Sequence, residues 1–70
     1  MNKISNEIRR LRFEHGEMTQ QQLAEKIHLT RQTVNAIEQG KYSPSLEAAF
    51  RIAAVFGQPL ERVFHYSEEE

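Results

Sequence analysis

Seventy residues make one small domain, with room for a modest core and none for a separate ligand-sensing domain. The chain has no cysteine, which excludes disulfide staples and thiolate metal sites and suits a reducing compartment. Nine lysines and arginines against ten acids give a formal net charge of −1, but Glu68, Glu69 and Glu70 crowd the very end, so the rest carries a small positive excess.

No apolar run approaches the roughly 20 residues that a membrane helix needs, and the opening MNKISNEIRR is too polar for a secretory signal. A soluble, cytoplasmic protein without membrane contact is expected.

Ile4, Ile8 and Leu11 step by four and three, which predicts a first helix over about Ser5 to His15, ended by Gly16. A second helix is predicted from about Gln20 to Ile27, where Leu23, Ala24 and Ile27 gather on one side. Thr19 precedes it as a hydroxyl cap, and with Gln22 it can form a capping box. His28 and Leu29 leave room only for a tight turn, with Leu29 plugging the angle. Thr30 then caps a third helix, about Arg31 to Gln39 and stopped by Gly40, in which Val34 and Ile37 face inward. Arg31, Gln32 and Asn35 share its opposite face.

Lys41, Tyr42, Ser43 and Pro44 form a loop, and Ser45 caps a fourth helix with Leu46, Ala49, Ile52, Ala53 and Phe56 as its apolar stripe, ended by Gly57. Pro59 suits the first turn of a short fifth helix whose buried side is Leu60, Val63 and Phe64. His65-Tyr66-Ser67 has β character, and Asn2-Lys3-Ile4 is placed to lie beside it as a ribbon joining the termini. The fold class is all-α, five helices around a helix-turn-helix at residues 19–38.

The segment TQQQLAEKIHLTRQTVNAIE, followed by Gln39-Gly40-Lys41, Tyr42 and Ser43-Pro44-Ser45-Leu46, resembles the lambda repressor and Cro-like (XRE) family of bacterial regulators. The resemblance covers nearly the whole chain and is nearest to the small stand-alone members. One position departs: the family usually has Gly, often Asn, where this chain has His28, because that residue commonly adopts positive φ. The resemblance implies a structural ion pair between Arg12 and Glu38, tying the first helix to the end of the third.

A helix enters the major groove of B-DNA, so the free face of the third helix is the expected reading surface. Arg31, Gln32 and Asn35 are the expected base contacts, with Thr33 as an alternative and Ala36 against a thymine methyl. Gln20, Thr30, Lys41, Tyr42 and Ser43 are expected on the phosphate backbone. Arg9 and Arg10 are consistent with either solvent or DNA.

The histidines, His15, His28 and His65, lack the spacing of a helical metal site, and no catalytic constellation or phosphate loop is present. No metal, no cofactor, no small-molecule effector and no enzymatic activity are expected. One reading helix covers few base pairs, so a homodimer on a near-palindromic double-stranded operator is expected, acting most simply as a repressor. Its interface is placed in residues 56–67, at Leu60, Val63, Phe64 and Tyr66, although Leu60 and Phe64 could equally complete the monomer core. An alternative is an antitoxin-like interaction module with secondary DNA binding, disfavoured because the chain stops a few residues beyond Phe64.

Overall fold

The computed structural model describes residues 3–67 and opens on a short strand, whose Ser5 and Asn6 stand where the spacing predicts helix. β1 (Ile4–Asn6) pairs antiparallel with β2 (Phe64–Tyr66), in the register Ile4 to Tyr66, Ser5 to His65 and Asn6 to Phe64. The ribbon therefore joins the two ends, but its N-terminal strand lies two residues further in than Asn2-Lys3-Ile4; Asn2 and the acidic tail, Glu68 to Glu70, lie outside the described residues. Ser5 and Asn6 consequently do not belong to the first helix.

Helix α1 (Ile8–Glu14) starts later because Asn6 works against an earlier start. Its Oδ1 accepts from Ile8 N at 3.1 Å, capping the new end, while its Nδ2 donates to Ile37 O at 2.9 Å. Glu7 N donates to Val63 O at 2.9 Å, so tertiary bonds outweigh the local helical spacing that begins at Ile4.

Helices α2 (Gln20–Ile27) and α3 (Arg31–Glu38) follow the predicted spans closely. Thr19 and Gln22 form a complete capping box: Gln22 N donates to Thr19 Oγ1 at 3.0 Å and Thr19 N donates to Gln22 Oε1 at 2.9 Å. The turn between the helices rests on His28 at φ 64°, ψ 39°, a left-handed conformation, with Leu29 N donating to Ala24 O at 2.9 Å. Leu29 is half-buried and packs against the core, fixing the elbow.

A side chain in the left-handed region costs about 1–2 kcal/mol, partly returned because histidine restricts the unfolded chain more than glycine does. His28→Gly should therefore gain about 0.5 kcal/mol, raising the melting temperature by about 2–4 °C. His28→Val should lower it, and thermal melts of both variants check the sign.

Helix α4 (Leu46–Phe56) is capped by Ser45, whose Oγ accepts from Ala48 N at 3.1 Å, and α5 is one turn, Leu60–Val63, with Pro59 as its cap residue. The core gathers Ile8 and Leu11 of α1, Leu23, Ala24 and Ile27 of α2, Val34 and Ile37 of α3, Ile52, Ala53 and Phe56 of α4, and Val63 of α5. Each large apolar side chain withdrawn fully from water stabilises by about 1.5–3 kcal/mol.

Two sequence expectations fail here. Leu46 is 68% exposed, because α4 buries Ala48 beside the expected Ala49 and turns Leu46 outward. Val63 is 0% exposed, so it completes the monomer core and has no surface to offer a second chain. Leu60 and Phe64 pack half-buried against the same core, which leaves Tyr66 as the one broadly exposed residue of that set.

Candidate nucleic-acid interface

The elbow holds α3 against α2 through Val34 and Ile37, which leaves Arg31 and Gln32 at its start facing outward. Thr30 fixes where α3 begins: its Oγ1 accepts from Thr33 N at 3.2 Å and lies 2.9 Å from Thr33 Oγ1. Arg31 and Gln32 follow, both exposed, and neither side chain bonds to any other described residue. Their donor and acceptor groups are therefore available to a ligand without loss of an internal bond.

Asn35 is placed differently. Gln20 Nε2 donates to its Oδ1 at 3.1 Å and Gln39 Nε2 to the same atom at 3.3 Å, so the side chain is half-buried with its oxygen engaged and its Nδ2 left to donate. Thr33 has its hydroxyl turned to Thr30, and Ala36 is half-buried.

Behind Asn35 lies a network that spans three helices. Arg12 grips Glu38 with two prongs, Nε to Oε2 at 2.6 Å and Nη2 to Oε1 at 3.1 Å, and its Nη1 donates to Met18 O at 2.7 Å. The two side chains are only 15% and 7% exposed. Gln20 Nε2 also donates to Glu38 Oε1 at 3.1 Å, so the glutamine at the start of α2 links the ion pair to the α3 face. That link is invisible in the sequence, since Gln20 and Glu38 share no local spacing.

Arg9 and Arg10 are separated by their partners. Arg10 bonds Glu14 at 2.9 Å and Glu7 at 3.2 Å, and these carboxylates raise its affinity for its proton. In return, the hydrogen bond from Arg10 holds the Glu7 carboxyl below the usual carboxylate value. Arg9 has no ion partner among the described residues and lines the same open notch as Arg12, Gln20, Asn35 and Glu38.

The far end of α3 closes in a Schellman motif, with Gly40 at φ 75° donating to Ile37 O and Lys41 N donating to Ala36 O at 2.9 Å. This turn delivers Lys41, Tyr42 and Ser43, all exposed, to the C-terminal end of the same helix. Among the described residues no cluster of His, Asp and Glu could hold a metal ion, and no helix is long and apolar enough to cross a membrane.

Two short helices set at a fixed elbow, with the second one's polar face free, define a helix-turn-helix protein. The profile described as "Helix-turn-helix" matches residues 8–63, and the chain belongs to that family, in its lambda repressor and Cro-like (XRE) branch. It is 45% identical over 67 residues to a helix-turn-helix-type transcriptional regulator of Methanocaldococcus jannaschii, itself uncharacterized, covering 96% of this chain and all of that one. The Bacillus subtilis regulator YgzD, also uncharacterized, is 42% identical over 66 residues, 94% of this chain and 98% of the relative. The control protein C.MunI of a Mycoplasma species is 32% identical over 68 residues, 97% and 92% of the two chains. The fold also matches a crystal structure from Bacteroides fragilis with a TM-score of 0.75 at 19% identity, over 89% of this chain and 98% of that one.

Proposed function

We propose that this protein is a sequence-specific, double-stranded DNA-binding transcriptional regulator that acts as a homodimer, most simply as a repressor. The observation that carries the reading is the free, exposed pair Arg31 and Gln32 at the start of a helix whose inner face is locked into the core. Arginine can bond guanine O6 and N7 together, and glutamine adenine N6 and N7. Asn35, its oxygen held by Gln20 and Gln39, serves as a donor to a base acceptor. Thr33 and Ala36 lie alongside as lesser contacts.

Gln20, through its main-chain amide at the start of α2 because both side-chain N–H groups go to Asn35 and Glu38, Thr30 at the start of α3, and Lys41, Tyr42 and Ser43 beyond it hold the phosphate backbone on either side of the reading face. Arg9, which has no ion partner among the described residues, adds a cation to that set. These contacts fix register and give the binding its salt dependence, while base edges supply the sequence information.

Two copies on a near-palindrome would place reading helices about 34 Å apart, on one side of the duplex. Bound there, the dimer would exclude polymerase from an overlapping promoter. The regulator names of its relatives support this reading, and a cytoplasmic location follows from a genomic target. No cofactor, metal or small-molecule effector enters the mechanism, and no catalytic step is assigned.

Selection from a random duplex pool at fixed salt tests the proposal. Enrichment of an inverted repeat with half-sites one helical turn apart is the expected result. Retention without sequence preference, or of direct single sites only, would overturn it.

A further inference from the structure

Helix α4 is apolar on both sides. Of its eleven residues only Glu47 and Arg51 are polar; Ala48, Ala49, Ile52, Ala53 and Phe56 are buried, while Leu46, Phe50 and Ala54 are exposed. These three recur every four residues, so they form one stripe along the outer face, with Leu46 at 68% and Phe50 at 54% exposure. A helix that is hydrophobic all round belongs in an interior, and its uncovered side marks an interaction surface.

We infer that this outer stripe of α4 is where a second copy of the chain docks, in an antiparallel, two-fold contact centred on Phe50. The inference rests on the homodimeric reading above and places its interface on α4 instead of α5. Two features of the stripe are self-complementary under such an axis. Turning α4 end for end about Phe50 sets bulky Leu46 against small Ala54 of the partner subunit, and Phe50 against its own counterpart, so the large side chains have room.

The charges match as well. Glu47 and Arg51 flank the stripe on one side, four residues apart, with Arg51 Nη2 donating to Glu47 Oε2 at 2.6 Å. The same rotation brings Glu47 beside Arg51 of the partner subunit, and Arg51 beside Glu47 of the partner subunit. Glu47 Oε1 has no bond among the described residues and remains able to accept. An edge carrying one charge of each sign suits a copy of itself better than a polyanion, a basic peptide or an anionic lipid surface.

Sedimentation velocity of the full chain over a micromolar range, with circular dichroism as the check on folding, tests the arrangement. Glu47→Arg alone and Arg51→Glu alone each place like charges across the axis, and each should weaken self-association by about tenfold or more. Mixing the two variants should restore a dimer, because the copy with two cations then faces the copy with two anions. Phe50→Glu should give a folded monomer, whereas Tyr66→Glu should leave association unchanged.

Persistence of dimers in Phe50→Glu and in both charge variants, or their loss in Tyr66→Glu alone, would overturn the α4 interface while leaving a homodimer. A wild-type chain that stays monomeric both free and on its selected DNA would instead overturn the homodimeric reading itself.

Discussion

Glu38→Ala should cost about 3–5 kcal/mol of folding stability, the range typical of removing one partner from a buried ion pair. The carboxylate accepts two bonds from Arg12 and one from Gln20, so its loss leaves a guanidinium at 15% exposure with only Met18 O to bond. For a domain of this size the penalty corresponds to a fall in melting temperature of at least about 12 °C, read by thermal unfolding. Glu38→Gln, which keeps the shape and one acceptor, should cost less.

The cost of breaking the pair is not its net worth. Replacing both partners with apolar side chains, Arg12→Met with Glu38→Leu, should recover most of the lost stability, since an apolar pair bears no desolvation penalty. If the double variant melts as low as Glu38→Ala, the network contributes net stability and this account of it is wrong. DNA affinity gives an independent readout. Because Gln20 bonds both Glu38 and Asn35, affinity should drop in the double variant even where folding recovers.

The second large effect concerns recognition. Arg31→Ala and Gln32→Ala should each remove about 1–3 kcal/mol of discrimination against a wrong base, at one position of the half-site each, with little change in melting temperature. Both side chains are exposed and without bonds to other described residues, so truncation leaves none of these unpaired. Lys41→Ala should behave differently: affinity should fall on all duplexes alike, with a shallower salt slope. Binding isotherms on the selected operator and on single-base variants separate the two patterns. Unchanged specificity in Arg31→Ala would count heavily against the reading surface.

What was legible in the chain was what is local. Thr19 with Gln22, Leu23 with Ile27, and Val34 with Ile37 all act within one or two helical turns, and the elbow at His28 and Leu29 followed from the shortness of the gap. The left-handed φ of His28 is what the family pattern implies at that position. Distant partners defeated the same reasoning elsewhere. Ser5 and Asn6 lie within the Ile4, Ile8, Leu11 spacing, yet pairing with His65 and Phe64 near the opposite end, and a bond from Asn6 to Ile37 O, claim them as strand. Leu46 faces outward against expectation, and Val63, buried as the helical pattern predicts, has no surface for the interface also expected of it, because apolar character alone does not tell a core face from an outer one. The Gln20 to Asn35 contact, which orients Asn35 on the proposed reading face, joins different helices and leaves no periodic trace.

The β1–β2 ribbon bears on the order of assembly. Its strands come from opposite ends of the chain, so closing it carries the largest loop entropy in the molecule, whereas α2 and α3 meet across a turn of a few residues. The elbow should nucleate early and the terminal clasp should zip last and open first. In hydrogen-exchange terms, amides of the clasp would be the first to lose protection while those of α2 and α3 stay silent.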